Sequence, residues 1–269
     1  MKKQILYVNY SSKGDIFQVF GLFLRPMNST PVVPLPGAAE PKKKQVAGMF
    51  DRIAGQYDFL NHFLSAGIDK KWRKRAINSL RTLKPEYILD VATGTGDLAL
   101  AALELQPKQI IGVDISEGML QIGKKKIAEK KSEHIISLQY GDSENLPFEA
   151  NRFDAITCAY GVRNFEHLQK GLQEMNRVLR PGGRIAILEF SHPKKFPIKQ
   201  FYGFYFRYLL PHLGRVVSKD ATAYTYLPES VAAFPEGTEF CSILKQCGFK
   251  DIQDQPLTFG ITSLYTAQK

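Results

Sequence analysis

Short apolar segments that alternate with helix-like segments constrain the fold of this chain more than any other feature of its 269 residues. Turn residues bound each apolar segment, and the stretches between them carry apolar residues at helical spacing. Such an alternation predicts parallel strands joined by right-handed helical crossovers, and therefore an α/β fold with a doubly wound, mostly parallel sheet. The five segments are YILDV at 87–91, IIGVD at 110–114, IISLQY at 135–140, FDAITC at 153–158 and RIAILEF at 184–190.

The end of the chain departs from this rhythm. Residues 247–269 consist of two strand-like runs joined by a short loop, which predicts an antiparallel C-terminal hairpin at one edge and seven strands in all. Ahead of the first strand, apolar residues recur at spacings of three and four between Val46 and Leu80, which predicts N-terminal helices. These features together predict a single folded domain over residues 45–269.

The first 44 residues have a different composition. Residues 28–44 are rich in proline and end in three lysines, which is typical of a disordered lead-in. We therefore expect residues 1–44 to form a flexible tail. A natural start at Met27, with the preceding residues as an extension, is the alternative. The apolar run at 16–24 is not followed by a small-residue cleavage site, which argues against a signal peptide.

A formal net charge of +10 and a pI of about 9.4 indicate attraction to something anionic, such as nucleic acid, a membrane surface or an acidic substrate. The basic residues are scattered, with short runs at 42–44 and 124–126, so solvated helix faces are the alternative. Three cysteines are too few for a disulfide framework or a zinc site, and we expect reduced thiols, a cytoplasmic location and no metal. The sequence lacks the roughly 18 consecutive apolar residues of a transmembrane helix.

The sequence LDVATGTGDLAL at 89–100 joins the first predicted strand to a helix. In a doubly wound sheet, ligands bind outside the carboxyl ends of the strands, where the strand order reverses. Gly94 and Gly96 fall there, and glycine permits positive φ and a close approach of the backbone to a ligand. Ala99 occupies the third position of a G-x-G-x-x-G pattern, so the dinucleotide fingerprint is weak, and a glycine-rich turn without a ligand is the alternative.

Acidic residues lie at or just after the ends of the first three predicted strands. Asp114 ends the second strand, eighteen residues after Gly96, where a carboxylate can accept hydrogen bonds from both ribose hydroxyls. Asp142 follows the third strand with Ser143 beside it, in a position suited to an adenine amino group. Each acid alone would also serve as a helix cap, but together they outline an adenosine site. Asp90 ends the first strand, where it would repel a pyrophosphate and suit a cationic ligand with a free amino group.

Five segments in this order and spacing resemble the successive motifs of class I S-adenosylmethionine-dependent methyltransferases: LDVATGTGD, GVDIS, GDSENLPF, FDAITCAYGVRN and LRPGGRIAILEF. They cover most of residues 85–190. The resemblance narrows to the ubiquinone and menaquinone biosynthesis C-methyltransferases over about residues 45–269. It rests there on MFDRIAGQYDFLNHFLSAGIDKKWRK, YGVRNFEHLQKGLQEMNRVLRPGG and FPEGTEFCSILKQCGFKDIQDQPLTFGITSLY.

The resemblance implies a Rossmann-like fold that binds S-adenosylmethionine, and an acceptor that is a ring carbon of a reduced, polyprenylated quinone. It further implies an insertion at about 191–235 that covers this acceptor. Ala159 departs from the pattern, because many relatives have there a serine that is thought to contact the cofactor, so one contact is in doubt. The implied cofactor contacts are Thr95, Asp114, Asp142 and Ser143, with Gly94 and Gly96 shaping the loop.

The chemistry predicts a polar group near the acceptor ring. A ring carbon becomes nucleophilic when an adjacent phenol, with a reference pKa near 10, loses its proton, so we expect a cation or a base beside the ring hydroxyl. Arg163 is the candidate for stabilising the phenolate and Asn164 for orienting the other hydroxyl. The alternative for Arg163 is a salt bridge that holds the following helix. Tyr57 is a candidate for covering the cofactor or the ring, with packing of the N-terminal helices as its alternative, and His167 is not assigned as the base.

Residues 196–220 are crowded with Phe, Tyr and Leu and carry four basic residues. This composition predicts an aromatic cover for the substrate and peripheral contact with the inner face of a membrane, with ordinary packing of a helix pair as the alternative. We expect no nucleic-acid partner, because clusters of aromatic and basic residues suited to base stacking are missing. An RNA methyltransferase and a non-catalytic cofactor-binding protein remain as alternatives.

The resemblance favours a demethylmenaquinol as the acceptor. Methylation of a 2-methoxy-6-polyprenyl-1,4-benzoquinol, or of both quinols, is the alternative, since composition and spacing do not separate the two rings. The oligomeric state stays open, with a homodimer among the choices.

Overall fold

The computed structural model describes residues 32–65, 67–204 and 221–269. Within these ranges the helices are α1 (Lys42–Leu64), α2 (Asp69–Ser79), α3 (Asp97–Ala102), α4 (Glu117–Glu129), α5 (Leu168–Val178), α6 (Ile198–Phe204), α7 (Ala221–Ala233) and α8 (Thr238–Gln246). The strands are β1 (Tyr87–Val91), β2 (Gln109–Asp114), β3 (Ile136–Tyr140), β4 (Phe153–Ala159), β5 (Leu179–Phe190), β6 (Lys250–Leu257) and β7 (Thr262–Gln268).

The strands form one seven-stranded sheet in the order β3-β2-β1-β4-β5-β7-β6. Strands β1 to β5 run parallel, whereas β7 pairs antiparallel with both β5 and β6. The chain moves outward from β1 to β3 and then returns to place β4 on the other side of β1, so the strand order reverses between β1 and β4. The predicted fold class, a doubly wound and mostly parallel seven-stranded sheet, is confirmed.

Successive side chains of the central strands point to opposite faces of the sheet, and both faces are covered by helices. Leu89 and Val91 belong to the core that includes α5 and α8, whereas Ile88 belongs to the core of α2, α3 and α4. This pattern follows from the two-residue repeat of a strand, and strands covered on both faces must be apolar at nearly every position. The apolar runs of the sequence therefore form the central strands of the sheet.

The C-terminal hairpin joins the sheet through its second strand. In β7, residues such as Leu264 and Tyr265 are buried, whereas most residues of β6 are exposed. Burying the apolar side chains of β7 stabilises the fold more than burying the polar side chains of β6 would. β7 therefore pairs with β5, and β6 forms the edge of the sheet. The predicted hairpin is confirmed, and its orientation is a finding of the structure.

Helix α1 lies over the carboxyl ends of the strands and packs on α4. Its residues Val46, Met49 and Ile53 form a separate core with Met119 of α4 and Tyr226 of α7. This apolar core holds α1 across the carboxyl ends of the strands, at the place where the strand order reverses.

Polar contacts tie the same helix to the loops below it. Asp51 accepts hydrogen bonds from the Ser116 hydroxyl at 2.6 Å and from the backbone N–H of Gly118 at 2.9 Å, both at the start of α4. The ammonium group of Lys42 donates to the carbonyls of Arg163 and Phe165 at 3.2 and 3.0 Å. Burial lowers the pKa of Lys42 to about 8.

The described structure starts before the predicted domain boundary. Helix α1 begins at Lys42, three residues ahead of Gln45, and the side chain of Gln45 accepts a hydrogen bond from the Leu35 backbone N–H at 2.8 Å. Residues 32–44 were expected to be part of a disordered lead-in. They depart from this expectation at two points, because Leu35 is hydrogen-bonded to Gln45 and helix α1 begins at Lys42. Residues 1–31 and the middle of the predicted insertion, 205–220, lie outside the described residues. The division into tail and domain stays a prediction.

Gly123 of α4 offers a test of the packing between this helix and the glycine loop. A Cβ at this position would lie 2.5 Å from Cδ1 of Leu138 and 3.1 Å from the carbonyl carbon of Thr95. We expect Gly123→Ala to lower the free energy of unfolding by about 1–3 kcal/mol through overpacking, although alanine is the better helix former by about 1 kcal/mol.

Gly55→Ala is the matched control, because Gly55 also lies in a helix and a Cβ at this position would meet no atom within 4 Å. This variant should gain up to about 1 kcal/mol. Urea unfolding of both variants measures the two changes. Equal stabilisation by the two substitutions would contradict close packing of α4 on the loop.

Candidate active site

A cleft with an empty volume of about 660 Å³, its open mouth included, lies at the carboxyl ends of β1, β2 and β4. The cleft coincides with the reversal of strand order, where this class of sheet binds its ligands. The structure brings together most of the predicted site residues here: Tyr57, Gly94, Asp114, Asp142, Ser143 and Asn164.

The glycine loop leaves space in the floor of the cleft. Gly94 has φ of +55°, and a Cβ built there meets no atom within 4 Å. Gly96 has φ of +80° and stands immediately before α3, with its N–H donating to the Thr93 carbonyl at 2.9 Å. Both positions use the left-handed region that glycine adopts without strain, so the loop can bring its backbone close to a ligand.

Asp114 lies at the end of β2 with its carboxylate held by backbone groups. One oxygen accepts from the N–H of Gly94 at 2.8 Å and the other from the N–H of Ser116 at 2.9 Å. Burial raises the pKa of Asp114, and these hydrogen bonds oppose that rise. Each carboxylate oxygen has a second lone pair, so both remain able to accept a hydroxyl from a ligand in the cleft.

Asp142 lines the same cleft together with Ser143. One of its oxygens accepts from the N–H of Glu144 at 2.9 Å, and the other is paired at 2.6 Å with the ammonium group of Lys43. The ion pair joins the first turn of α1 to the loop after β3. Sequence patterns gave no indication of Lys43, which was part of the expected lead-in.

A second, adjoining cleft is lined in part by Asp90. The carboxylate of Asp90 is buried and accepts one hydroxyl hydrogen bond on each oxygen, from Thr93 and Thr157, both at 2.6 Å. Burial raises the pKa of Asp90 to about 6, against the effect of the two hydroxyls. The predicted acid is therefore at the cleft, but the protein itself already occupies part of its hydrogen-bonding capacity.

Thr95 and Arg73 also line this second cleft. The Thr95 hydroxyl donates to Asp58 of α1 at 2.5 Å, so its single proton is used within the protein. The guanidinium of Arg73 pairs with Asp69 at 2.6 Å and with Asp97 at 3.2 Å. Sequence analysis missed Arg73. The sequence feature that could have pointed to Arg73 is Asp69, four residues earlier on the same helix. This spacing is as typical of an ordinary surface ion pair as of a ligand-binding site.

Arg163 lies in a short turn after β4, and its side chain is only 7% exposed. Its guanidinium pairs with Glu189 of β5 at 2.8 Å and also donates to the Tyr160 carbonyl. Burial raises the pKa of Glu189, and the Arg163 cation acts against that rise. The ion pair therefore joins the turn after β4 to the neighbouring strand β5, which is a different arrangement from a salt bridge to the following helix.

Three buried polar atoms near the cleft make no hydrogen bond within the described part of the chain. They are Nε of Arg163, Oδ1 of Asn164 and the hydroxyl of Tyr226. Burial raises the pKa of Tyr226 to about 12, while the charge of Arg163 acts to lower it. Buried groups of this kind are nearly always paired in folded proteins, so each of these atoms calls for a partner such as a water, an ion or a bound ligand. Sequence analysis missed Tyr226, because an aromatic residue in an amphipathic helix is usually part of the core.

Tyr57 lines both clefts from α1 and contacts Phe50 edge to face, with ring centroids 5.9 Å apart. Ala159 lies at the end of β4, at the border of the two clefts. Ala92 and Tyr160 follow β1 and β4 and have φ of 53° and 58°. Non-glycine residues in this left-handed region are uncommon and concentrate at functional sites.

The sheet order and the acids at its carboxyl edge define a class I S-adenosylmethionine-dependent methyltransferase. A solved SAM-dependent methyltransferase from Thermotoga maritima has the same fold, with a TM-score of 0.54, 19% identity and coverage of 82% of this chain and 99% of that one. The ubiE/COQ5 methyltransferase family matches residues 38–269. The chain belongs to this family, and S-adenosylmethionine is its cofactor.

Two relatives are similar over most of their lengths. A demethylmenaquinone methyltransferase from Bacteroides fragilis is 52% identical over 229 residues, which are 85% of this chain and 94% of the relative. The ubiquinone/menaquinone biosynthesis C-methyltransferase UbiE from Geobacter sulfurreducens is 43% identical, with coverage of 85% and 90%. These similarities confirm the family resemblance of the sequence motifs.

Asp90→Asn tests how the buried acid affects stability. A carboxyl whose pKa rises from 3.8 to about 6 stabilises the fold while it is protonated; this stability is present below pH 4 and is lost as the pH rises through 6. At pH 8 the neutral amide should therefore raise the free energy of unfolding by about 3 kcal/mol. At pH 5 this gain should be smaller by about 1 kcal/mol.

Denaturant unfolding of the two proteins at both pH values measures the effect. A gain that does not change with pH would contradict the proposed cost of the Asp90 charge.

Proposed function

We propose that this protein transfers a methyl group to a ring carbon of a polyprenylated quinol in respiratory quinone biosynthesis, with demethylmenaquinol as the acceptor. The names of the two similar relatives support this acceptor. The structural observation that carries the proposal is a group of buried polar atoms on Arg163, Asn164 and Tyr226 beside the cofactor cleft, which have no hydrogen-bond partner among the described residues. A flat ring with two hydroxyls offers partners for such atoms.

The cofactor fits the charges and the space of the two clefts. We assign Asp114 to the ribose hydroxyls, and Asp142 with Ser143 to the adenine amino group. Asp90 would face the ammonium group of the methionine part, and Arg73 of the same cleft would face its carboxylate. The open space over Gly94 supports a close approach of the loop backbone. Thr95 would contribute through its backbone, because its hydroxyl proton is bound to Asp58.

S-adenosylmethionine supplies an electrophilic methyl group on a sulfonium. What the protein must add is alignment of the acceptor carbon and a hydrogen-bonding environment that favours the phenolate. Glu189 neutralises Arg163, so the arginine would act on the ring oxygen mainly as a hydrogen-bond donor through Nε. With its raised pKa, Tyr226 keeps its proton at neutral pH and would donate as well. Asn164 would accept from the second hydroxyl, and Tyr57 would cover the ring from α1.

A benzoquinol acceptor is the second candidate, because the name of one relative refers to the biosynthesis of both ubiquinone and menaquinone. The described helices include none with the length and apolarity needed to cross a bilayer. Peripheral membrane contact, a cytoplasmic location and a homodimer remain proposals.

A turnover assay with labelled S-adenosylmethionine tests the acceptor. We expect methyl transfer to a reduced demethylmenaquinone, and comparison with a 2-methoxy-6-polyprenyl-benzoquinol distinguishes one pathway from two. Asp114→Ala is the control for cofactor dependence, because loss of the ribose hydrogen bonds should weaken cofactor binding about tenfold or more. Cofactor binding without transfer to either quinol would overturn the proposed reaction.

The ion pair of Arg163 requires a paired substitution. Removing Arg163 alone would leave the buried charge of Glu189 uncompensated, at a cost of about 3–5 kcal/mol. The double variant Arg163→Gln, Glu189→Gln removes both charges and keeps polar side chains at both positions, so it should stay folded. We expect it to bind the cofactor normally and to lose about 100-fold in kcat, as for loss of a preorganised donor.

Isothermal titration of the cofactor and steady-state kinetics separate the two effects. Wild-type kcat in the folded double variant would mean that Arg163 does not act on the acceptor.

A further inference from the structure

Four phenylalanines stand out among the described side chains because they are large, apolar and exposed. Phe196 is 81% exposed, Phe201 70%, Phe204 55% and Phe259 76%. Only two other large hydrophobic side chains in the described ranges are exposed, Leu35 and Tyr140. Single exposed apolar residues are common, whereas a concentration of them marks an interaction surface.

The four residues belong to two adjacent segments. Phe196 precedes α6, and Phe201 and Phe204 lie three residues apart on it, hence on one face of the helix. Phe259 lies in the turn between β6 and β7. The Ser191 hydroxyl donates to the Gly260 carbonyl at 2.9 Å, and the Ser191 N–H donates to the Ile261 carbonyl at 3.0 Å, so this turn lies beside the chain that leads into α6.

The other side of α6 faces the candidate acceptor site. Tyr202 is partly buried, and its ring packs edge to face on His192 with centroids 6.2 Å apart. Burial raises the pKa of Tyr202, with Glu236 acting in the same direction and Arg163 against it. The helix is therefore turned with its tyrosine toward the Arg163 ion pair and its phenylalanines toward solvent.

The exposed charges directly before Phe196 are basic, and the acids that interact with Lys194 are Glu236, which is partly buried, and Asp254. Lys194 and Lys195 immediately precede Phe196 and are exposed. Aromatic side chains at the depth of lipid headgroups, with lysines beside them, are the usual composition of a protein surface that binds an anionic bilayer. A protein partner of matching shape would not require this combination.

We propose that Phe196, Phe201, Phe204 and Phe259, with Lys194 and Lys195, form a face that docks on a lipid bilayer carrying anionic headgroups. Docking would place the bilayer on the outer side of α6, while the acceptor site lies on its inner side. A substrate with an isoprenoid tail could then enter the site without leaving the lipid phase. This last step rests on the proposed function, whereas binding to the bilayer does not.

Sedimentation of the full chain with vesicles tests the docking face. The probes are vesicles of phosphatidylcholine alone and vesicles that also contain phosphatidylglycerol. We expect stronger binding to the anionic vesicles, a loss of about tenfold or more in the variant Phe196→Ser, Phe201→Ser, Phe204→Ser, and a loss of about fivefold per residue on Lys194→Gln and Lys195→Gln.

Tyr140→Ser is the matched control, because Tyr140 is an exposed aromatic residue, 56% accessible, on the opposite edge strand β3. This variant should bind vesicles like the wild type. Equal binding by the triple serine variant, or no sedimentation of the wild type with either vesicle, would overturn the proposal. A change in oligomeric state of the triple variant, measured by light scattering, with unchanged vesicle binding would assign the face to contact between copies instead.

Turnover separates this proposal from the proposed function. With a short-tailed acceptor dispersed in buffer, the triple variant should work at the wild-type rate, and with a long-tailed acceptor in anionic vesicles it should lose about tenfold. Loss of both activities in the wild type would refute the proposed reaction and leave the sedimentation result to decide on docking. If the triple variant fails to fold, the two exposed lysine substitutions carry the same test.

Discussion

The hydrogen bonds of the buried Asp90 carboxylate hold together the elements that form the site. It belongs to β1, and its two oxygens bind Thr157 of β4 and Thr93 of the glycine loop, each at 2.6 Å. The strands on either side of the reversal are thus tied to the loop that follows. Burial raises the pKa of this acid to about 6, so the charge that suits a cationic ligand is also a cost to the fold. Function, more than stability, explains an ionised group at this position.

Helix α1 connects the cofactor cleft with the candidate acceptor site. Lys43 pairs with Asp142 at 2.6 Å at one end of the cleft, and Asp58 accepts from Thr95 at 2.5 Å at the other. Lys42, in the same first turn, binds the carbonyls of the Arg163 turn. Because one rigid helix makes all of these contacts, a displacement of α1 would alter the surroundings of both ligands together.

Sequence patterns predicted the elements of the sheet better than the partners of its polar residues. The predicted strand at 87–91 matches β1, and the acid at its end and the glycines that follow lie at the cleft. β5 begins five residues before the predicted run at 184–190, because a turn with Gly182 at φ of +80° is included in it. The partner of Arg163 was not predictable, since Glu189 lies inside an apolar run that reads only as a buried strand.

The sequence alone determined the parallel sheet, its antiparallel end and the acids at the strand ends, because hydrophobic periodicity and the strand-to-loop position of a residue are local properties. The tertiary structure decided which side chains meet. Lys43 and Asp142 are 99 residues apart and Trp72 and Thr258 are 186 apart, yet both pairs are in hydrogen-bond contact. It also decided that Tyr226 and Asn164 have buried atoms with no partner in ranges 32–65, 67–204 and 221–269, because pairing depends on how distant elements pack and not on the spacing of residues along the chain.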